Sequence, residues 1–248
     1  MLAQAMEVLE LFDNTRRELG VADVAKLLGR SKSTVSGWMA AMNEVGLLDR
    51  AEGGGPYRVG IRLAGFGVLA QRSTSLQVVA TPLLEQMTRR TRETTSLNVL
   101  IGSEVVNTAV VESPQPIHSA GGLGIPMPLH ATAAGKILLA WRSAQDARHL
   151  LPFSLAQYTP ATITDITLLQ EELEKTRQQG YAIAHAELAS DLFAVSAPIR
   201  DASGSVVGAL SITAPLSRVP EERVQQLAQE VVEHTAAASQ ALGYRAAA

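Results

Sequence analysis

Cysteine is absent from the 248-residue chain. That excludes disulfides, thiol nucleophiles and zinc sites built on sulfur, and it fits a reducing cytoplasm. The five histidines, His118, His130, His149, His185 and His234, never fall at the helical pair spacing of a metal site, so no metal is expected. The N-terminus lacks the cationic and apolar regions of a signal peptide. No apolar run approaches the roughly 18 residues that a membrane span needs, and no membrane partner is expected. Internal repeats are lacking too, and the one low-complexity tract is the terminal alanine run.

A strongly basic balance is also missing. The net charge is −3, which by itself argues against a nucleic-acid partner. The charge is unevenly spread: residues 1–74 carry nine Lys/Arg against eight Asp/Glu, and residues 75–248 carry twelve against sixteen. What the chain does have is 46% hydrophobic residues and only 18% charged ones, the composition of a core-forming protein. Its length suits two domains.

Helical spacing from Leu2 through Met6, Leu9, Leu11 and Phe12 predicts a first helix ending near Asp13-Asn14. Gly20 precedes a second, Val21–Leu28, with Val21, Val24, Leu27 and Leu28 as its apolar pattern. Gly29 stops it, and Ser31 is placed to cap a third helix reaching Val45. Two short strands, Leu47–Arg50 and Tyr57–Val59, flank Ala-Glu-Gly-Gly-Gly-Pro. Three helices followed by a β-ribbon form a winged helix-turn-helix. Apolar helical residues then run from Arg62 to Arg72, with another helix over Leu76–Thr91.

Beyond that point the texture changes. Strands are expected at Ser96–Ile101, Val105–Glu112, Tyr181–His185, Phe193–Ile199 and Val206–Thr213, and helices at His130–Trp141, Thr164–Gly180 and Val219–Leu242. The regular βαβ rhythm of a doubly wound sheet is missing, so the fold class is α+β with an antiparallel sheet flanked by helices.

The stretch Gly29-Arg-Ser-Lys-Ser-Thr-Val-Ser-Gly-Trp38 is unusually rich in small and hydroxylated residues. In a helix-turn-helix the second helix enters the major groove and offers its N-terminal residues to base edges. Small side chains let the backbone approach, hydroxyls bond phosphate or base, and helix N-terminal amides favour phosphate. Arg30, Ser31, Lys32, Ser33, Thr34, Ser36 and Gly37 are the candidate DNA contacts, with Arg50 and Arg58 reaching backbone from the wing. The bland alternative makes Ser31–Thr34 only a good cap on a solvated helix. Trp38, lying between Val35 and Met39, belongs to the core rather than to a stacking surface.

Catalytic signatures fail. Leu-His-Ala-Thr-Ala-Ala-Gly-Lys136 looks like a phosphate loop, but His130 and Ile137 stand where the Walker pattern needs Gly and Ser/Thr. No Gly-x-Ser-x-Gly elbow or His-Glu-x-x-His occurs. Asp201 and Glu187 could do acid-base chemistry on paper, though such residues are routine on turns and surfaces. A ligand pocket accounts for the segment better. Thr132 can cap a helix, leaving the amides of Ala133 and Ala134 free for an anion. The preceding loop offers Gly122, Leu123, Ile125 and Met127. His130 is expected to bond the loop backbone, with ligand binding as the alternative.

The pattern Leu28-Gly-Arg-Ser-Lys-Ser-Thr-Val35, then Gly46-Leu-Leu48 and Tyr57-Arg-Val-Gly60, resembles the N-terminal domain of the IclR family of bacterial transcription regulators. Pro128-Leu-His-Ala-Thr-Ala-Ala-Gly-Lys136, Gly180-Tyr-Ala182, Ala197-Pro-Ile-Arg-Asp201 and Leu210-Ser-Ile-Thr-Ala-Pro215 follow in family order and spacing. The resemblance covers essentially the whole chain and departs at Ser36-Gly37, where the family often has larger polar or basic residues.

It implies a DNA-binding domain over 1–61, a linker helix over 62–75 and a GAF-like effector domain over 76–248. It also implies that Ala184, Ala194, Ser211 and Thr213 line the effector pocket, although Ser211 and Thr213 could instead face solvent. Relatives can carry Asp and Cys where Ala184 and Ala194 stand, which points to a larger or more apolar acid than a two-carbon one, aromatic acids included. The implied partners are a double-stranded DNA operator, a small organic acid and a second copy of the chain, as a homodimer or a dimer of dimers. Repression is implied more often than activation, and no cofactor. The rival readings are a metabolic enzyme on a small carboxylate with a non-functional helix-turn-helix, and an architectural DNA binder without effector.

Overall fold

The computed structural model describes residues 2–12, 16–50, 54–63, 65–66, 76–116 and 122–245. The chain divides into two units, Met1–Thr74 and Ser75–Ala248. Of the expected connecting helix over 62–75, only residues 62, 63, 65 and 66 are described, and these are helical; 64 and 67–75 lie outside the described residues.

In the first unit, α1 (Leu2–Leu9), β1 (Glu18–Leu19), α2 (Val21–Leu28) and α3 (Lys32–Glu44) precede the wing strands β2 (Leu48–Arg50) and β3 (Tyr57–Val59). The first helix is shorter than its apolar spacing suggests, and the chain turns after Leu9 so that Leu11 and Phe12 reach the core from a non-helical segment. Val8, Val24, Val35, Met39 and Leu48 are fully buried, with Trp38 packed beside them. Leu27 is half-exposed, and Ala25 takes the core place expected for it.

Gly29 ends α2 in the left-handed region at φ 63°. Ser31 caps α3, its hydroxyl accepting from the Thr34 amide at 3.2 Å. At Gly60 a Cβ would lie 2.3 Å from the Gly46 carbonyl oxygen. Only glycine lets the wing return this close to the end of α3. β1, too short to leave a sequence pattern, adds a third strand on the free edge of β3.

The second unit begins with α4 (Leu76–Thr91) and a hairpin, β4 (Thr94–Ile101) and β5 (Glu104–Val111). Next come the short β6 (Pro126–Met127), α5 (Ala133–Ala140), α6 (Ala144–Leu150) and α7 (Ile166–Gln179). The meander β7 (Ala182–His185), β8 (Leu192–Arg200) and β9 (Val206–Pro215) leads to α8 (Glu221–Ala241). The six strands form one antiparallel sheet in the order β6-β5-β4-β9-β8-β7. The sequence missed β6 and α6 and began the helix after the loop three residues early. His130 and Ala131 precede Thr132, whose extended backbone (φ −124°) makes it the N-cap.

Strand alternation sorts the two faces. Phe193, Val195, Ala197 and Ile199 of β8, with Leu210, Ile212 and Ala214 of β9, pack with Leu84 and Met87 of α4 and Leu227 and Val231 of α8. The intervening residues face α5 and α7, whose Ile137, Leu139, Leu169 and Leu173 make a second core. That second face is where apolar filling is incomplete.

Candidate functional site

Arg30, Ser31, Lys32, Ser33, Thr34, Ser36 and Gly37 are all exposed, opposite the buried Val35, Met39 and Met42. The hydroxyls also have an internal task. Ser31 Oγ lies 2.8 Å from Thr34 Oγ1 and 3.0 Å from Ser33 Oγ, so the cluster first fixes the helix start and presents its remaining lone pairs outward. Gly37 borders an apolar recess with Leu2, Trp38 and Met42, at the edge of the polar face. Arg58 projects from β3 into solvent. Arg50 turns inward on the wing: its Nη2 donates to the Gly54 carbonyl at 2.8 Å and its Nε to Gly55 at 3.2 Å, above the Tyr57 ring. It holds the wing tip, which its place in the sequence did not reveal.

In the second unit a cavity of about 180 Å³ lies between the sheet and the start of α5. Gly122, Met127, Thr132, Ala133, Ala134, Ala184, Ala194, Ser211 and Thr213 all line it. Leu123 does not. It is 65% exposed and paired through its backbone with Asn107.

Sheet register explains the cavity floor. Thr94, Thr213, Ala194 and Ala184 stand in one row across β4, β9, β8 and β7. Ser96, Ser211 and Ser196 form the adjacent row. Side chains on this face are short, and that is why a gap remains under α5. Ser211 is buried, accepting from Asn98 Nδ2 at 2.8 Å and meeting the Ser196 hydroxyl. The solvent-facing alternative for Ser211 is therefore overturned. Thr94, Ser96, Asn98, Asn107, Ala131, Leu188, Leu192 and the Lys136-paired Glu187 complete the wall. Those of β4 and β5 went unread because the two strands carry no motif; the signal was an alternation of Thr94, Ser96 and Asn98 along one strand.

The roof is polar in a different way. Thr132 Oγ1 accepts from the Gly135 amide at 3.1 Å. The amides of Ala133 and Ala134 meet no acceptor among the described residues. Two aligned N–H groups at a helix N-terminus favour an anion. His130 Nε2 hydrogen-bonds the Ala156 carbonyl at 2.9 Å, in the segment between α6 and α7 and not in the preceding loop.

All eight residues of α5 are buried, Lys136 among them at 1% exposure. Its ammonium donates to Glu187 Oε1 at 2.7 Å, to the Ile183 carbonyl at 2.9 Å and to Glu172 Oε1 at 3.3 Å. Burial pushes the Glu187 carboxyl above its ordinary range, and the Lys136 charge opposes this. Lys136 thus ties α5 to α7 and to the end of β7. The sequence signal was one cation inside the otherwise uncharged run Ala133–Ala140.

No His/Cys/Asp/Glu cluster among the described residues could hold a metal, and no described helix is long and apolar enough to cross a membrane.

Residues 1–52 match the model of the IclR helix-turn-helix domain, and residues 69–240 that of the bacterial transcriptional regulator IclR C-terminal domain. The chain is 32% identical over 244 residues to the transcriptional regulator XynR of Escherichia coli, covering 98% of this chain and 97% of XynR. It is similar to the crystal structure of the repressor BlcR of Agobacterium tumefaciens (TM-score 0.76, 28% identity, 99% and 98% of the two chains). It is also similar to an IclR homologue from Microbacterium hydrocarbonoxydans complexed with 4-hydroxybenzoate (TM-score 0.62, 27% identity, 97% and 98%). With a helix-turn-helix unit, an α+β second unit and family models matched over both, this chain belongs to the IclR family of bacterial transcriptional regulators rather than to a family of enzymes.

Proposed function

We propose that this regulator is a cytoplasmic homodimer, or a dimer of dimers, that represses by placing the exposed face of α3 in the major groove of a pseudo-palindromic operator. A small organic acid in the cavity beneath α5 controls it. The carboxylate sits on the amides of Ala133 and Ala134, and the body of the ligand lies over Thr213, Ser211, Ala184 and Ala194. The observation that carries the reading is the convergence of residues from six strands and one helix start on a single cavity whose roof has two unpaired donors.

The two alanines enlarge the space, yet Ser96, Asn98 and Ser211 keep its floor polar. An acid with a polar substituent suits this better than a purely aliphatic one. The bound 4-hydroxybenzoate of the Microbacterium homologue is of that kind.

A helix N-terminus contributes about 0.3–1 kcal/mol per anion at exposed sites and up to about 2 where partly buried. Affinity therefore falls in the micromolar to millimolar range of a metabolite sensor, roughly −4 to −8 kcal/mol. Ala133→Pro is the sharpest test. It deletes one donor at the first helical position, where proline is tolerated, behind a Thr132 already extended at ψ 145°. Calorimetry with acids consumed by the products of neighbouring genes should show binding to the native protein and a clear loss in this variant. Gel shifts should show the same acids releasing operator. Undiminished binding heat with the fold intact puts the effector elsewhere; turnover of the acids by pure protein favours the enzyme.

A further inference from the structure

A second cleft, of about 230 Å³, opens between α5, α6 and α7, apart from the cavity beneath the α5 start. Its floor is apolar: Leu139, Leu151, Leu169 and Leu173 are each at most 7% exposed. Its lining includes Arg142, Arg148 and Arg177 and no carboxylate.

Each arginine spends part of its guanidinium on backbone. Arg142 Nε donates to the Leu138 carbonyl at 3.0 Å, and Arg148 Nη1 to Leu151 and Pro152 at 3.2 and 3.0 Å. Arg177 Nη1 donates to Ala140 at 2.6 Å, while its other nitrogens are taken by Glu174. Neither Arg142 nor Arg148 has an ion pair with a described carboxylate, and the Nη2 of both is uncommitted. These bonds anchor two planar cations by their inner edges at the mouth of an oily slot, with donors left over. Such a fork matches a carboxylate, which guanidinium binds better than a flexible ammonium does.

We propose that this cleft is a second ligand site, for an amphiphilic monoanion: a carboxylate held by Arg142 and Arg148, with an unbranched or aromatic hydrocarbon body on the leucine floor. A dry cavity of about 150 Å³ holds benzene, so this volume takes a body of roughly nine carbons. The excess positive charge opposes insertion of a second copy of the same surface, and the small volume excludes a folded partner. The floor includes Leu139, on the helix whose first residues roof the other cavity. About six residues, or roughly 9 Å of helix, separate the two.

The test is octanoate titrated into the full chain and followed by methyl NMR of labelled leucines, with octanol as the uncharged control. Octanoate should saturably shift Leu139, Leu169 and Leu173. Octanol should bind at least about tenfold more weakly, the effect of losing one charge-assisted hydrogen bond. Arg142→Gln/Arg148→Gln should weaken octanoate by about tenfold or more on the same grounds. Ala147→Leu fills the floor without touching charge and should exclude both probes, while Ala133→Pro should leave the site intact. The inference is overturned if octanoate fails to shift these leucines, if octanol binds equally, if both cleft variants bind normally, or if Ala133→Pro abolishes the shifts.

Discussion

Replacing Lys136 by Met keeps the aliphatic stem and removes the ammonium from a site only 1% exposed. Glu187, itself 7% exposed, then loses its 2.7 Å partner, and one of its oxygens already lacks any hydrogen bond. Breaking a buried pair by removing one partner costs about 3–5 kcal/mol, because the remaining charge is uncompensated. At roughly 2–4 °C per kcal/mol for a unit of this size, the melting temperature of the second unit should fall by about 6–20 °C.

The pH dependence follows from the direction of the Glu187 shift. Its folded pKa lies above the ordinary carboxylate value of the unfolded chain, so between the two the native state binds more protons than the unfolded chain. Stability therefore falls as pH rises through that window. Without Lys136 the folded pKa climbs further and the window widens upward. The loss should therefore grow from pH 5 to pH 8. Lys136→Met/Glu187→Gln should recover most of it. Urea unfolding followed by circular dichroism at both pH values decides the matter. A loss below about 1 kcal/mol at pH 8, against the range expected for a broken buried pair, or a larger loss at pH 5, refutes the assignment of this pair as the tie between α5, α7 and β7.

Lys32→Ala should weaken operator binding with the melting temperature unchanged, and should reduce the salt slope of log K by about one, as expected for one lost phosphate contact; gel shifts at several salt concentrations measure it. Ser31→Ala removes the α3 cap and should cost the first unit about 1 kcal/mol, read from its denaturation midpoint. Gly135→Ala puts a Cβ 2.1 Å from the Leu129 carbonyl oxygen. That contact is with backbone and cannot be relieved by a rotamer, so a loss of about 3 kcal/mol or more is expected in urea unfolding.

The helices of the first unit were legible from Gly20, Gly29, Ser31 and the apolar spacing between them, because caps and periodicity are local properties. The α+β class and the Thr132 cap could likewise be read, and family resemblance pointed to Ala184, Ala194, Ser211 and Thr213, which line the cavity. Register could not be. Pairing of Ser96 with Ser211 joins strands more than 100 residues apart, and no local preference encodes which short residue meets which.

Leu123 went wrong for the same reason: an apolar residue in a loop looks like a pocket wall until the backbone turns it outward. Arg50 and Lys136 show the limit most plainly. In sequence one is a surface cation and the other a failed phosphate motif. Whether a cation meets water, a carbonyl or a carboxylate depends on what the rest of the chain brings beside it. Its chemistry is decided only when the wing closes on Gly54 and when Glu187 arrives at α5.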